Sequence, residues 1–502
     1  MNSTLRSKAA ASALSTLLLA AAGCPSSDGS CESSALCDTG TFCFEGRCVA
    51  SLPASPLCAL PGSTSVTAAP GVSSTATAAD YAFCRRDVVA TSVLPGSWIA
   101  YEGVNDVGAR VSFSVPPGTS SVTIHSQAVS AADSFWYGSQ QIPNSVVPTG
   151  VTLPNDHVLY DDMSIPPAQP LYLPAYYGGV TPWSGSFGVP NTSRLADLAL
   201  ANGEVPPGTW SFIVNDWNAE CAAVNGCVEG SPGRYDVTVI ARPGPYVSTG
   251  ALDLNVYLVG GGAGLDAANA ASYPGMARYL AEIGRLLGEA GICLRSVTFR
   301  DVPSWARSDT AFTQPAIDGD APCGELSQLF TLAAPADGVH LFLVDAICNG
   351  GDCSSGIVGI DGSIPGPSGL PGAYSSGAAM TLDDIGRGNC GNPAPDLANC
   401  GSDRAGYIAA HEIGHWLGLY HTTEATGDMF DPLQDTGTCS CSACGSRTCD
   451  GAYGMPPQAC MSGGATCAGG DNLMFWVIDP SVSIGHLTAQ QSQVARLNPA
   501  VK

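Results

Sequence analysis

His411-Glu412-Ile413-Gly414-His415-Trp416-Leu417-Gly418-Leu419-Tyr420-His421 gathers three of the chain's 7 histidines into one short run. On an α-helix His411 and His415 stand one turn apart, so both imidazoles project from one face toward a common point. Gly418 can adopt the left-handed conformation that ends a helix, which lets the chain turn and return His421 as a third ligand. Three neutral imidazoles leave a tetrahedral zinc ion one open position, the arrangement of a catalytic site and not of a closed structural one. Glu412 lies beside that point, placed to act as general base on a water held there. The plainer reading is a buried amphipathic helix whose histidines are incidental, and the spacing of five fixed positions speaks against it.

The pattern His-Glu-x-x-His-x-x-Gly-x-x-His resembles the metzincin zinc-protease motif. The local wording from His411 to Thr422 is similar to the pappalysin branch in particular. The resemblance covers roughly the C-terminal half of the chain.

With 502 residues the chain is too long for one ordinary domain. A hydrophobic content of 45% suffices for packed cores, and a net charge of −24 argues against nucleic acid or an anionic membrane as partner. Residues 1–23 read as an export signal: Arg6 and Lys8 precede the small, apolar run Ala9–Gly23. Its end, Ala21-Ala22-Gly23-Cys24, resembles a bacterial lipobox, so Cys24 is the candidate lipidation site. Ala21 stands where Leu is usual, which keeps ordinary cleavage and secretion open as the alternative to a lipid anchor at the cell envelope. Of 21 cysteines, those other than Cys24 form an even set, and export makes disulfides the expected state.

Residues 24–57 read as a Cys-rich stalk stapled by disulfides, since Cys31, Cys37, Cys43 and Cys48 lie among little apolar material. A zinc knuckle would need paired C-x2-C spacing, which is missing. Residues 58–80 read as a Ser/Thr/Ala/Pro-rich linker. Over 81–245, alternating runs such as Arg110–Val115 and Tyr235–Ile240, punctuated by Pro-Pro-Gly turns, predict an antiparallel β-sandwich. Cys221 and Cys227 would close a loop there. The region carries no acid–base cluster, so a binding or spacer role is expected, with a cleavable pro-segment as the alternative.

From 246 to 502 the pattern turns to α/β. Leu252–Val259 predicts a strand that runs into Gly260-Gly261-Gly262, a turn lacking both the P-loop Lys and the Gly-x-Gly-x-x-Gly spacing of phosphate sites. Met276–Ala290 has helical periodicity, and Ser296–Arg300 and His340–Ile347 are further strands. Gly377–Leu382 is the candidate edge strand above a cleft, and Ser402 or Asp403 the candidate cap of the helix bearing His411. Asp428, Asp431 and Asp435 could hold calcium through oxygen ligands, though a solvated acidic loop reads equally well. Glu424 is a candidate fourth zinc ligand of lower standing. Cys439, Cys441, Cys444, Cys449, Cys460 and Cys467 predict three disulfides and no second metal. The resemblance makes Asn472-x-Met474 the metzincin Met-turn beneath the metal; an ordinary core methionine is the alternative. Where several such families carry Tyr two residues after this Met, Trp476 stands here as a candidate transition-state donor. Leu487–Leu497 predicts a capped closing helix.

The expected whole is a multidomain chain: a small disulfide-rich unit, an all-β sandwich, then an α/β (α+β) metzincin-like zinc protease domain. The resemblance implies one catalytic Zn2+, with Ca2+ as a further candidate, and a protein or peptide as substrate. The rival from another class is a catalytically inactive surface binding protein that keeps zinc for folding. Glu412 discriminates, because a retired site needs no base beside its ligands.

Overall fold

A computed structural model describes residues 42–44, 47–49, 65–68, 93–94, 98–106, 108–129, 135–137, 140–142, 145–156, 158–160, 184–190, 204–217, 234–244, 248–317, 324–349, 352–354, 356–391, 395–444, 454–461 and 467–502. The export signal, Cys24 and the loop of Cys221 and Cys227 fall outside the described residues, as do Cys31 and Cys37 of the stalk. Two compact units are present, Met1–Ser51 and Leu52–Lys502. In the first, Phe42–Phe44 (β1) and Arg47–Val49 (β2) pair antiparallel with Cys43 opposite Cys48.

Alternation of side chains builds the sandwich of the second unit. After Ser65–Ala68 (β3) come Trp98–Asp106 (β4), Arg110–Val115 (β5) and Thr119–Ala128 (β6). Phe135–Tyr137 (β7) and Gln140–Ile142 (β8) form a separate small hairpin. Ser145–Thr152 (β9), Val158–Tyr160 (β10), Ser184–Val189 (β11), Gly208–Trp217 (β12) and Arg234–Pro243 (β13) complete the set. Two four-stranded antiparallel sheets result, ordered β10-β9-β12-β5 and β11-β6-β13-β4. In β5, Val111, Phe113 and Val115 turn inward while the residues between them stay exposed. They meet Trp210 and Phe212 of the same sheet and Ile124, Phe187 and Val239 of the other in one core. The Trp210 indole N–H, which burial would otherwise orphan, donates to Pro206 O at 2.8 Å, so the Pro-Pro-Gly turn serves the core as well as the corner.

The α/β part is a six-stranded sheet ordered β17-β18-β16-β14-β15-β3. Its members beyond β3 are Gly250–Leu258 (β14), Ile292–Asp301 (β15), Val339–Val344 (β16), Gly359–Asp361 (β17) and Ala378–Thr381 (β18). All neighbours pair parallel except β17 with β18. Three longer helices accompany them: Met276–Glu289 (α1), Gly401–Trp416 (α2) and Ala489–Leu497 (α3). Leu252, Leu254, Val256 and Leu258 cover one sheet face and pack with Tyr279, Ile283 and Leu286 of α1 and Ile408 and Ile413 of α2. The helices cross closely at Gly406, where an added Cβ would lie 2.7 Å from Tyr279 O. Arg278 clamps them further, its guanidinium donating to both carboxylate oxygens of buried Asp403.

Three expectations change. Ser65–Ala68, in the stretch read as linker, is a sheet strand beside β15, because its backbone fills an otherwise open parallel edge. The edge strand over α2 is β17; Ala378–Thr381 lies inside the sheet, with β16 on its other side. Neither Ser402 nor Asp403 caps α2, which begins at Gly401: Ser402 Oγ accepts from Gly386 N–H and Asp403 is engaged by Arg278. The Cys390–Cys400 disulfide ties the approach to that helix.

The sandwich is no separate body, since it shares the unit Leu52–Lys502. Strand β6 is buried along its whole length, on its polar face too. Ser121 Oγ donates to Leu497 O, and Gln127 Oε1 accepts from Tyr374 N–H at 2.9 Å. The boundary read at 245 is therefore a change of architecture within one packed unit. Among the described residues no helix is long and apolar enough to cross a membrane.

Removing the clamp between α1 and α2 leaves the Asp403 carboxylate buried and short of its charge partner. Arg278→Ala should cost about 2–3 kcal/mol, below the value for a fully buried pair because the Arg278 side chain is 23% exposed. In an Asp403→Asn background the same change should cost much less. Chemical denaturation of the four proteins of this cycle measures the coupling.

Candidate metal centre

Helix α2 presents His411 and His415 one turn apart and then stops. Gly418 takes φ 108°, its N–H donating to His415 O at 2.8 Å, and the chain reverses. That reversal brings His421 back onto the pair. His421 Nε2 lies 3.2 Å from His411 Nε2 and 3.1 Å from His415 Nε2. Zinc–nitrogen bonds of about 2.0–2.1 Å in tetrahedral array need ligand separations of about 3.3 Å, close to these. Among the described residues this triad is the one group of three His, Cys, Asp or Glu side chains whose ligand atoms converge.

Each ring is fixed from behind. His411 Nδ1 donates to Leu473 O at 2.6 Å and His415 Nδ1 to Leu419 O at 2.7 Å. A backbone carbonyl can only accept, so both rings carry the proton on Nδ1 and aim the Nε2 lone pair at the centre. His421 Nδ1 lies 2.7 Å from Glu424 Oε1, which does the same for the third ring. Burial, reinforced by His421, lowers the His411 pKa to about 3 and holds His415 well below its usual value. Neutral rings with converging lone pairs are the form a metal takes up. Glu424 thus stands behind His421 and outside the converging group.

Met474 is fully buried beneath this arrangement. A Cβ on Gly414 would meet its Sδ at 2.6 Å, and Met474 N–H donates to Asn472 Oδ1 at 2.8 Å. Asn472 is held in turn by Gln491 of α3, 2.8 Å from Nδ2 to Oε1. The turn that carries the methionine also supplies Leu473 O to His411, so it sets that ring's orientation directly.

Glu412 is buried next to the triad, and that burial pushes its pKa up to about 8. It accepts from the Asp361 backbone N–H on β17. The Asp361 carboxyl is itself buried and is raised well above the carboxylate range by that burial and then by Glu412. Gly359, Asp361 and the tautomer-setting role of Glu424 were not anticipated. Ile357-Val358-Gly359-Ile360 is an apolar run with an unbranched gap, and it was the available signal for this strand.

Two expected roles are corrected. The Trp476 indole N–H donates to Met455 O at 2.7 Å, and the ring packs with Cys439, Met455 and Cys460, so the N–H expected to serve the transition state is engaged elsewhere. Asp428, Asp431 and Asp435 do not converge as a calcium site would require. Asp428 accepts from Thr426 Oγ1, Asp431 from Thr436 Oγ1, and Asp435 from Thr488 Oγ1 and Gln490 N–H at the start of α3. Disulfides do hold the inserts: Cys348–Cys353, Cys439–Cys460 and Cys444–Cys467 are bonded, as is Cys441, while Cys449 lies outside the described residues.

No family model matches the chain, and no curated protein matches it.

Glu424→Ala should weaken zinc binding about 10- to 100-fold, since His421 would lose the group that sets its tautomer; competition with a chelator reads this. Asp431 offers a test of the acidic loop. Burial raises its pKa, so its ionisation opposes folding, and stability is lost as pH rises through the folded value. Asp431→Asn keeps the acceptor for Thr436 and should melt at or above wild type near neutral pH, the gain vanishing in acid. A lower melting temperature reversed by calcium would restore the cation reading.

Proposed function

We propose that the chain is an exported zinc endopeptidase of metzincin type, pappalysin-like in its α/β part. The observation that carries the reading is the triad itself: three Nε2 lone pairs converge with every Nδ1 committed to an acceptor, and a buried carboxylate stands alongside. This donor set suits zinc, which accepts imidazole nitrogen and leaves a fourth position for substrate chemistry when only three ligands are protein. The turn at Gly418, the position of Met474 under Gly414, and an antiparallel edge strand beside Glu412 all support the family resemblance of the motif.

Zinc, when bound, supplies a Lewis acid that polarises the scissile carbonyl and makes water acidic enough to attack near neutral pH. With a cation held by the triad, whose charge would draw the raised Glu412 carboxyl back to its ionised form, Glu412 takes the proton from the attacking water and delivers it to the leaving amine. The backbone edge of β17 suits an extended peptide, which would add a strand beside it. A protein that retained zinc only for folding would have no use for a buried carboxylate at this position, where burial is costly. The Arg6–Gly23 pattern supports export, and the disulfides accord with an oxidising compartment.

Replacement of His411, His415 or His421 by Ala should lose zinc and activity together. Glu412→Ala should retain zinc and fold while turnover falls about a hundred- to ten-thousand-fold. Zinc content and hydrolysis of a mixed peptide library, measured on the full chain, check both. A zinc-loaded wild type that cuts nothing, or a fully active Glu412→Ala, overturns the assignment.

A further inference from the structure

Strand β17 meets the base of the proposed reaction at two points. A Cβ on Gly359 would lie 2.7 Å from Glu412 Oε1 and equally close to Ile408 Cγ2, so the absence of a side chain lets the strand pass this near. Two residues on, the Asp361 N–H donates to the Glu412 carboxylate. Yet β17 is 3 residues long and its sheet partner lies on one side only. So short a ladder cannot by itself set the height of the strand above the helix.

The segment 362–377, which joins β17 to β18, supplies the missing anchorage, and it does so from the sandwich. Tyr374 sits within the sandwich core while its N–H donates to Gln127 Oε1 of β6. The hydroxyls of Ser375 and Ser184 of β11 are 2.9 Å apart. Ser363 Oγ reaches Ser186 Oγ at 3.5 Å, and its backbone N–H donates to Asp361 Oδ2 at 3.1 Å. Pro365 packs on Gly188, where a Cβ would come within 2.8 Å. On its other side the segment is tied to the active-site helix, Gly366 N–H donating to Trp416 O at 2.8 Å. The side chains that face this segment from β6 and β11 are small or polar, and all are buried. A strand face meant for solvent would not be.

We infer that the sandwich is a working wall of the candidate active site: through segment 362–377 it holds β17 where the Asp361 N–H orients the Glu412 carboxylate, with Gly359 and Asp361 as positioning residues. The consequence for turnover rests on the protease reading; the consequence for the strand does not. The sandwich then acts on the rate of the chemistry and not on affinity for a remote partner. Displacing a general base by about 1 Å is enough to cost on the order of 100-fold in rate.

The test uses the full, zinc-loaded chain and reads amide hydrogen exchange at 359–361, zinc content, kcat and KM. Tyr374→Ala, which acts from the sandwich side, should raise exchange of the Asp361 amide about tenfold or more while helix 401–416 stays protected. It should keep its zinc and lower kcat by about tenfold or more with little change in KM, and Tyr374→Phe should restore both readings. Gln127→Leu, which removes the acceptor of the Tyr374 N–H together with the Gln127–His125 side-chain contact, carries the same expectation should Tyr374→Ala fail to fold. Gly359→Ala should lower kcat with zinc retained and without loosening the sandwich. Unchanged exchange at Asp361 in the folded sandwich-side variant overturns the proposal, and so does faster exchange with undiminished kcat. A wild type that cleaves nothing refutes the protease reading instead, and the exchange measurement still decides whether the sandwich holds the strand.

Discussion

Three nitrogen lone pairs that converge, two of them just over 3 Å from the third, repel unless a cation lies among them, and much of the α/β part is arranged to hold them there. One helix supplies two rings, one glycine turn supplies the third, and three separate acceptors fix the rings' protons. Those acceptors come from Leu419, Glu424 and Leu473. Leu473 O is available only because Asn472 and Gln491 lock the turn that carries it, and Gln491 belongs to a helix whose start is capped by Thr488 and Asp435. The geometry of the centre is therefore distributed across the last hundred residues, well beyond the motif.

The same economy appears where the sandwich meets the α/β part. A β-strand normally spends one face on a core and the other on water. Strand β6 spends both on protein, and on its polar face Ser121 and Gln127 are satisfied by groups of the α/β part and not by solvent. Polar contacts of this kind specify register as well as contributing energy, because a slip by one residue would strand each of them without a partner. The architecture therefore favours one fixed seating of the two parts.

The histidine triad, Glu412 and Met474 were legible in the sequence because their spacing along one helix and one tight turn is a local property. The strands of the sandwich and α1 were legible for the same reason, through periods of two and of 3.6 residues. What escaped was set by contacts between distant segments. The role of Trp476 depended on Met455, a pairing that no local pattern announces. The three aspartates looked like one cluster along the chain but serve three different neighbours. The edge strand was misplaced at Ala378–Thr381, an apolar run, and apolar strands belong inside a sheet. Gly359 carries no side-chain signal at all; its meaning lies in what would collide with it.

Strand β3 gives the chain an unusual path. Ser65–Ala68 belongs to the α/β sheet, the sandwich strands follow from Trp98 to Pro243, and only then does the rest of that sheet begin. Along the polypeptide the sandwich is thus enclosed by the sheet, like a parenthesis, and is not threaded ahead of it. During synthesis β3 emerges first and must wait for β15, more than two hundred residues later, before it can find its place. The sandwich strands have all emerged by then, so closing that edge of the sheet draws two distant stretches together around the sandwich. A fragment beginning after the sandwich would lack this strand, leaving the β15 edge bare and open to pairing with another molecule.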